Sequence, residues 1–112
     1  MKILIIDDNP QARQMIKNNL RNESHEFYEC EDGAESLAAY RQFLPDWVLM
    51  DWEMKIVSGL TAARLILREF PSAQILIVTN YDENDFRRSA LAAGVKGYVL
   101  KDDLFSLNSF LK

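Results

Sequence analysis

Five short apolar runs recur along the chain, and this recurrence constrains the fold more than any other feature. The runs lie at 3–6, 27–30, 47–50, 75–78 and 97–100. Between them lie segments in which apolar residues recur at helical spacing. Such alternation is typical of repeated strand–helix–strand units, so the sequence predicts an α/β fold with one parallel sheet.

Polar residues follow four of these runs, and they carry the chemistry. The groups are Asp7 and Asp8, then Asp51, then Thr79, then Lys101. In a parallel sheet they all meet at the carboxyl edge, where ligands of open α/β sheets bind. Three crowded carboxylates repel one another and raise each other's pKa unless a cation lies among them. A hard divalent ion, most simply Mg²⁺, resolves that conflict, and the hydroxyl and ammonium then suit a phosphoryl group.

The composition excludes several classes of function. The formal net charge is -4, and Arg87–Arg88 is the only adjacent basic pair, which argues against nucleic-acid binding by this chain. We expect these two arginines on a solvated helix face. The single cysteine, Cys30, is expected to be a buried small hydrophobe. The sequence shows neither a secretion signal nor an apolar run approaching the ~18 residues of a membrane span, so we expect a cytoplasmic protein.

Local signals predict where the helices begin and end. Pro10 suits a first helical position, Asp32 can cap the second helix, and Gly59 opens the third. Asp82 is the predicted N-cap of the fourth helix, and Gly94 suits its C-terminal end. The predicted shared face of the second helix consists of Ala34, Leu37, Ala38 and Arg41. A short fifth helix is predicted from Leu104, Leu107 and Leu111.

Four stretches of the sequence together resemble the receiver domain of bacterial two-component response regulators. They are IIDDNP at 5–10, PDWVLMD at 45–51, IVT at 77–79 and AGVKGYVLKD at 93–102. The pairs Gly97–Tyr98 and Lys101–Asp102 are most similar to the NarL/LuxR-type subfamily. The resemblance covers residues 1–112 as one receiver domain. It implies a flavodoxin-like, doubly wound, five-stranded parallel sheet of order 2-1-3-4-5, with helices on both faces and a short or truncated fifth helix.

The resemblance implies a phosphoacceptor and a metal site. Asp51 would be the carboxylate nucleophile that attacks a phosphohistidine on a sensor histidine kinase. Asp8 and Asp51 would ligate Mg²⁺, with Asp7 acting directly or through water. The backbone carbonyl of Glu53 would complete the protein ligands.

The same resemblance implies a switch rather than an enzyme. Lys101 would pair with the phosphoryl oxygens, and Thr79 would donate its hydroxyl to them. Tyr98 would report the state by moving between an outward and an inward rotamer. The chain would assist its own phosphotransfer and dephosphorylation without acting on other substrates.

The sequence departs from the family pattern at three positions. Lys55 replaces a proline that many receivers carry in the loop after the phosphoacceptor. Asn80 stands where a small residue is usual, and Asp102 stands where a cis proline usually follows the lysine. These changes remove neither the acceptor nor a ligand, so they bear on rates.

Other functions fit the sequence less well than a receiver does. A small Mg²⁺-dependent phosphatase would place a second Asp two residues after its nucleophile at the first strand end, where this chain has Asn9. A docking module without phosphorylation would not need the set Asp8, Asp51, Thr79 and Lys101. A nucleotide-binding domain would need a glycine-rich phosphate loop, which the sequence lacks.

The output of such a receiver could take two forms. NarL/LuxR-type members usually carry a C-terminal helix-turn-helix domain, so we expect this chain to be the regulatory part of a longer transcription factor. DNA would then be a partner only through that missing domain. The alternative is a stand-alone receiver that acts by protein contact. A homodimer is left open by the sequence, and no membrane partner is expected.

Overall fold

A central parallel sheet lies between two layers of helices in the computed structural model, which describes residues 1–20 and 24–111. The strands of this part of the chain are β1 (Lys2–Ile6), β2 (Glu26–Cys30), β3 (Trp47–Met50), β4 (Ile75–Thr79) and β5 (Gly97–Leu100). The α-helices are α1 (Pro10–Asn19), α2 (Ser36–Phe43), α3 (Gly59–Glu69), α4 (Asn84–Ala93) and α5 (Leu107–Phe110). The order β2-β1-β3-β4-β5 confirms the predicted doubly wound fold.

Strands β1, β3, β4 and β5 are largely buried on both sides because helices cover both faces of the sheet, whereas the edge strand β2 is only partly buried. Successive residues of a strand point to opposite faces, so Leu4 and Ile6 belong to one core and Ile3 and Ile5 to the other. The first core packs against α2, α3 and α4, and the second against α1 and α5. Cys30 is buried in the first core, as predicted.

Several helix ends follow the local signals. Pro10 is the first residue of α1, and the Asn9 side chain accepts hydrogen bonds from the N–H groups of Gln11 and Ala12. Gly59 begins α3. Gly94 ends α4 with a φ of 110°, a left-handed conformation that glycine adopts without a steric penalty.

Asp32 caps the helical segment after β2, as predicted: its side chain accepts a hydrogen bond from the Ala34 N–H, and a 3-10 turn, Gly33–Glu35, leads directly into α2.

Two expectations for the helices are wrong. Asp82 does not cap α4, which begins at Asn84 after Glu83, and no side chain provides the cap hydrogen bond. The second error concerns the buried face of α2. The residues that α2 buries are Ser36 and Tyr40; of the predicted face only Leu37 packs against the core, while Ala34, Ala38 and Arg41 are exposed.

The chain after β5 forms a 3-10 helix, Lys101–Ser106, before the single turn of α5. This agrees with the expected short fifth helix. Leu104, Leu107 and Leu111 are all buried in the second core. None of the helices in the described ranges combines the length and the hydropathy that a membrane crossing requires.

Candidate functional site

The predicted site residues meet at the carboxyl edge of the sheet. Asp7 directly follows β1, Asp51 follows β3, Thr79 ends β4 and Lys101 follows β5. The backbone ladder continues past the strand ends, because the N–H of Asp51 donates to the carbonyl of Ile6 at 2.9 Å. The sheet itself therefore fixes where these side chains begin.

Three carboxylates form a cluster at this edge. One oxygen from each of Asp7, Asp8 and Asp51 lies within 4.8 Å of the others. Asp7 is 1% exposed and Asp51 is 7% exposed. Asp7 Oδ1 accepts a hydrogen bond from the N–H of Asn9 at 2.9 Å, which fixes the orientation of that carboxylate. The predicted convergence of these groups is thus present.

Lys101 balances part of this negative charge. Its Nζ lies 2.8 Å from Asp7 Oδ2 and 3.4 Å from Asp51 Oδ1. Burial lowers the pKa of the Lys101 ammonium, but the two carboxylates outweigh that effect and hold the pKa above its ordinary value. Lys101 is therefore a fixed positive charge between the two carboxylates at neutral pH.

One ammonium does not compensate the whole cluster. Burial, followed by repulsion from Asp7, raises the pKa of Asp51 to about 6, and the opposing attraction of Lys101 is too weak to reverse this. Asp7 Oδ2 is buried and, apart from its contact with Lys101, has no hydrogen-bond donor among the described residues. Hard oxygen donors with excess negative charge are the ligand set that Mg²⁺ prefers, so these residues fit that ion.

A cleft of about 270 Å³ opens above Asp51. Thr79 lies in its wall with its side chain buried, and Thr79 Oγ1 accepts a hydrogen bond from the N–H of Tyr81 at 3.2 Å. Glu53 and Asn80 also line the cleft. A larger cleft of about 520 Å³ lies at the opposite edge of the sheet, near the amino ends of the strands and away from this chemistry.

Tyr81 closes part of the cleft mouth, which sequence reasoning missed. Its hydroxyl donates a hydrogen bond to the Glu53 carboxylate, so the two side chains meet across the cleft that contains Asp51. Proximity to Glu53 raises the pKa of the Tyr81 hydroxyl, which therefore stays protonated at neutral pH. The only feature of the sequence that could have indicated this role is that Tyr81 lies two residues after Thr79.

The loop after Asp51, which carries Lys55, is held by contacts with other parts of the chain. The N–H of Ile56 donates to Asp32 Oδ2 at 3.2 Å, which ties this loop to the loop after β2. Gly59 is packed so closely that an added Cβ would lie 1.9 Å from the carbonyl oxygen of Asp51. Only glycine fits there without a backbone shift. The peptide bond between Lys101 and Asp102 is trans.

The predicted switch residue Tyr98 lies inward in this structure. It is 7% exposed, and its hydroxyl donates to the carbonyl of Tyr81. Trp52, which follows Asp51, stacks on Phe86 with ring centroids 4.7 Å apart and meets the Tyr98 ring edge-on at 6.3 Å. An aromatic cluster thus joins the residue after the candidate acceptor to α4 and β5.

Arg87 does not lie on a purely solvated helix face, contrary to the prediction. Its guanidinium carbon lies 4.7 Å from the centroid of the Tyr98 ring, and Nη1 donates to the Tyr98 carbonyl at 3.2 Å. Arg88 is the solvated member of the pair, with 74% of its side chain exposed. The sequence shows two adjacent arginines, but it does not show which of them faces the sheet.

Comparison with known proteins agrees with this geometry. A family model described as the response regulator receiver domain matches residues 3–109. The chain therefore belongs to the response regulator receiver domain family, a class of signalling domains in two-component systems.

Relatives and solved structures narrow this assignment. The oxygen regulatory protein NreC of Staphylococcus aureus (strain JH9) is 37% identical over 106 residues, covering 91% of this chain and 48% of that protein. The uncharacterized transcriptional regulatory protein YxjL of Bacillus subtilis (strain 168) is 32% identical, covering 93% of this chain and 49% of that protein. The chain spans about half the length of the curated relatives it matches.

A crystal structure shows the same fold. The two-component response regulator of the LuxR family from Aurantimonas sp. SI85-9A1 superposes with a TM-score of 0.90 at 32% identity, covering 96% of this chain and 79% of that chain. The predicted similarity to receivers of the NarL/LuxR type is thereby confirmed.

Proposed function

We propose that this chain is a phosphorylation-activated switch that accepts a phosphoryl group on Asp51 from a sensor histidine kinase. One observation carries the proposal. The Asp51 carboxylate lies in the cleft beside both an acidic cluster and an ammonium, with Asp7 and Asp8 on one side and Lys101 3.4 Å away. A nucleophile, a cation site and a charge partner are thus within reach of one bound phosphoryl group.

The step proposed is a direct transfer. A carboxylate oxygen of Asp51 forms a bond to phosphorus while the bond from phosphorus to the donor imidazole nitrogen breaks, and that nitrogen keeps the electron pair. Phosphoryl transfer requires positioning and charge neutralisation more than covalent help. Asp7, Asp8, Asp51 and the backbone carbonyl of Glu53 would hold Mg²⁺, which, when bound, supplies neutralisation of the charge on the transferred group.

The residues of the chain then respond to the new group. Phosphorylation adds roughly 1.5 to 2 negative charges and three acceptor oxygens beside Lys101. Lys101 turns its ammonium toward these oxygens, and Thr79 donates its hydroxyl to them. Such contacts exist in one state only, and this difference in contact energy shifts a two-state equilibrium. Thr79 and Tyr98 would relay the shift to the surface formed by α4 and β5.

Intact mass spectrometry tests the acceptor. The chain is incubated with acetyl phosphate and Mg²⁺, and we expect the mass of one added phosphate. Asp51→Asn should abolish the addition. Asp102→Asn, which alters an exposed carboxylate one residue beyond Lys101, is the matched control and should phosphorylate like wild type. Undiminished labelling of Asp51→Asn would assign the phosphate to another residue.

The relay has its own measurement. On addition of beryllofluoride and Mg²⁺, amide shift changes should concentrate between Thr79 and Leu104, because both switch residues and α4 lie in that range. Changes confined to α2 and α3 would contradict the proposed route.

We further propose that the phosphorylated receiver regulates transcription through a DNA-binding domain that lies outside residues 1–112. Relatives such as YxjL bear the name of transcriptional regulatory proteins, and this chain spans 49% of that protein. The rival hypothesis is a stand-alone receiver that acts by protein contact. The full reading frame separates the two, and the chain alone should give no sequence-specific DNA shift in either phosphorylation state.

A further inference from the structure

Arg87 makes a cation–π contact with the Tyr98 ring, which no other cation among the described residues makes. The guanidinium lies over the ring at 4.7 Å from its centroid, and the same group donates to the Tyr98 carbonyl at 3.2 Å. From these contacts we propose that Arg87 is a positioning residue that holds the Tyr98 ring inward before any phosphoryl group arrives.

Tyr98 is held from three directions. Arg87 covers its ring, Trp52 meets it edge-on at 6.3 Å, and the Tyr81 carbonyl accepts a hydrogen bond from its hydroxyl. The Trp52 contact is an edge-on aromatic pair, which adds to the apolar packing of the ring. The hydroxyl contact acts only at the tip of the side chain. Arg87 is the one contact of the three that engages both the ring and the backbone of Tyr98.

The guanidinium of Arg87 has two further partners that set its orientation. Its Nη2 lies 3.7 Å from Asp82 Oδ1, and its Nη1 donates to the Tyr98 backbone carbonyl at 3.2 Å. Asp82 is the residue that sequence reasoning assigned to the helix cap, and in the structure it faces the guanidinium instead. A guanidinium whose orientation is already set by these partners loses less side-chain freedom when it covers the ring.

Two hydrogen bonds through the backbone of Tyr81 connect Tyr98 to Thr79 in the site. The carbonyl of Tyr81 accepts from Tyr98, and the N–H of Tyr81 donates to Thr79 Oγ1 at 3.2 Å. Holding Tyr98 inward therefore holds the backbone of Tyr81, and with it the partner of the Thr79 hydroxyl. The consequence for signalling rests on the proposed function, whereas the position of the ring does not.

The experiment measures the ring position without phosphorylation. The chain contains four tyrosines, so ¹³C labelling of tyrosine rings gives a short spectrum in which Tyr98→Phe identifies the Tyr98 signal. Wild type is compared with Arg87→Gln, which removes the charge, and Arg87→Lys, which keeps it without the planar fork. Arg88→Gln is the matched control, since Arg88 is the adjacent arginine on the same helix and contacts Asp85 rather than Tyr98.

We expect Arg87→Gln to increase the exposed fraction of the Tyr98 ring about three- to ten-fold, the range that one cation–π contact supports. Broadening of the Tyr98 signal by a soluble paramagnetic agent reports that fraction. Arg87→Lys should lie between Arg87→Gln and wild type, and Arg88→Gln should match wild type.

Two results would overturn the proposal. One is an unchanged Tyr98 signal in Arg87→Gln; the other is an equal change in Arg88→Gln. If Arg87→Gln unfolds, Asp82→Asn, which releases the guanidinium from its outer partner, takes its place with the same expected direction. Repeating the spectra in an Asp51→Asn background separates the two proposals. Failure of phosphorylation leaves the Tyr98 comparison intact, and failure of the Tyr98 comparison leaves the phosphoacceptor assignment intact.

Discussion

Asp51→Asn should stabilise the metal-free fold, although it removes the proposed acceptor. Ionised Asp51 has an electrostatic cost because it is buried beside Asp7. Its folded-state pKa lies above the unfolded value, so the folded state binds more protons and loses stability as pH rises between the two. Asparagine has nearly the same shape and no charge. The substitution therefore removes the repulsion while keeping the packing.

The size of the effect follows from the shift. The pKa of Asp51 rises from 3.8 to about 6. At about 1.4 kcal/mol per pH unit, this corresponds to about 3 kcal/mol at neutral pH. This figure already includes the attraction of Lys101. Asparagine remains a buried polar group whose amide must find partners, so the expected net gain is about 1–2 kcal/mol. For a domain of this size that raises the Tm by about 4–10 °C.

Thermal and urea unfolding in a chelator measure this gain. Wild type, Asp51→Asn and the exposed control Asp102→Asn are compared at pH 7.5, where only Asp51→Asn should be more stable. The gain in stability should shrink as pH falls through 6 toward 4, because folded wild-type Asp51 then becomes protonated and is neutral like asparagine. Mg²⁺ should stabilise wild type by an amount that grows with the logarithm of its free concentration once this exceeds the Kd, and it should have less effect on Asp51→Asn. A destabilised Asp51→Asn, or a gain that does not depend on pH, would refute the reasoning.

Three further substitutions test other parts of the site. Lys101→Ala should mainly weaken the response to beryllofluoride; a crystal of the wild-type complex with the Lys101 ammonium far from the fluorides would contradict its role. Gly59→Ala should cost about 2 kcal/mol or more in urea unfolding, because the new Cβ would overlap the Asp51 carbonyl; near-wild-type stability would show that the loop yields easily. Tyr81→Phe removes the hydrogen bond to Glu53 across the cleft mouth, so phosphorylation by acetyl phosphate should speed up; an unchanged rate by intact mass would show that the contact does not limit access.

The sequence was sufficient for the sheet and for most of the site. Strands β1, β3, β4 and β5 each contain a run of four apolar residues that is largely buried on both faces, and each run ends where a polar residue appears. The edge strand β2 has a mixed sequence and is only partly buried. Because the strands are parallel, residues at corresponding run ends lie at one edge regardless of the details of the helices. Asp7, Asp51, Thr79 and Lys101 could therefore be brought together from spacing alone.

Other features depended on contacts between distant segments. Asp82 has the chemistry of a helix cap, but Arg87 lies within reach of its carboxylate and α4 begins two residues later. In α2, local spacing favoured Ala34 and Ala38, yet the large Tyr40 ring packs against Phe70 of another segment, 4.7 Å away, and turns that face inward.

The contacts around Tyr98 show most clearly which features the sequence predicts and which depend on contacts between distant segments. Arg87 and Arg88 are identical in type and adjacent in sequence, so no local pattern separates them. The crossing of α4 over β5 directs one guanidinium to the Tyr98 ring and the other to solvent. Backbone hydrogen bonding and apolar periodicity are local and fix the elements. Which side chains meet between elements depends on how the helices pack on the sheet, and only the tertiary structure determines that.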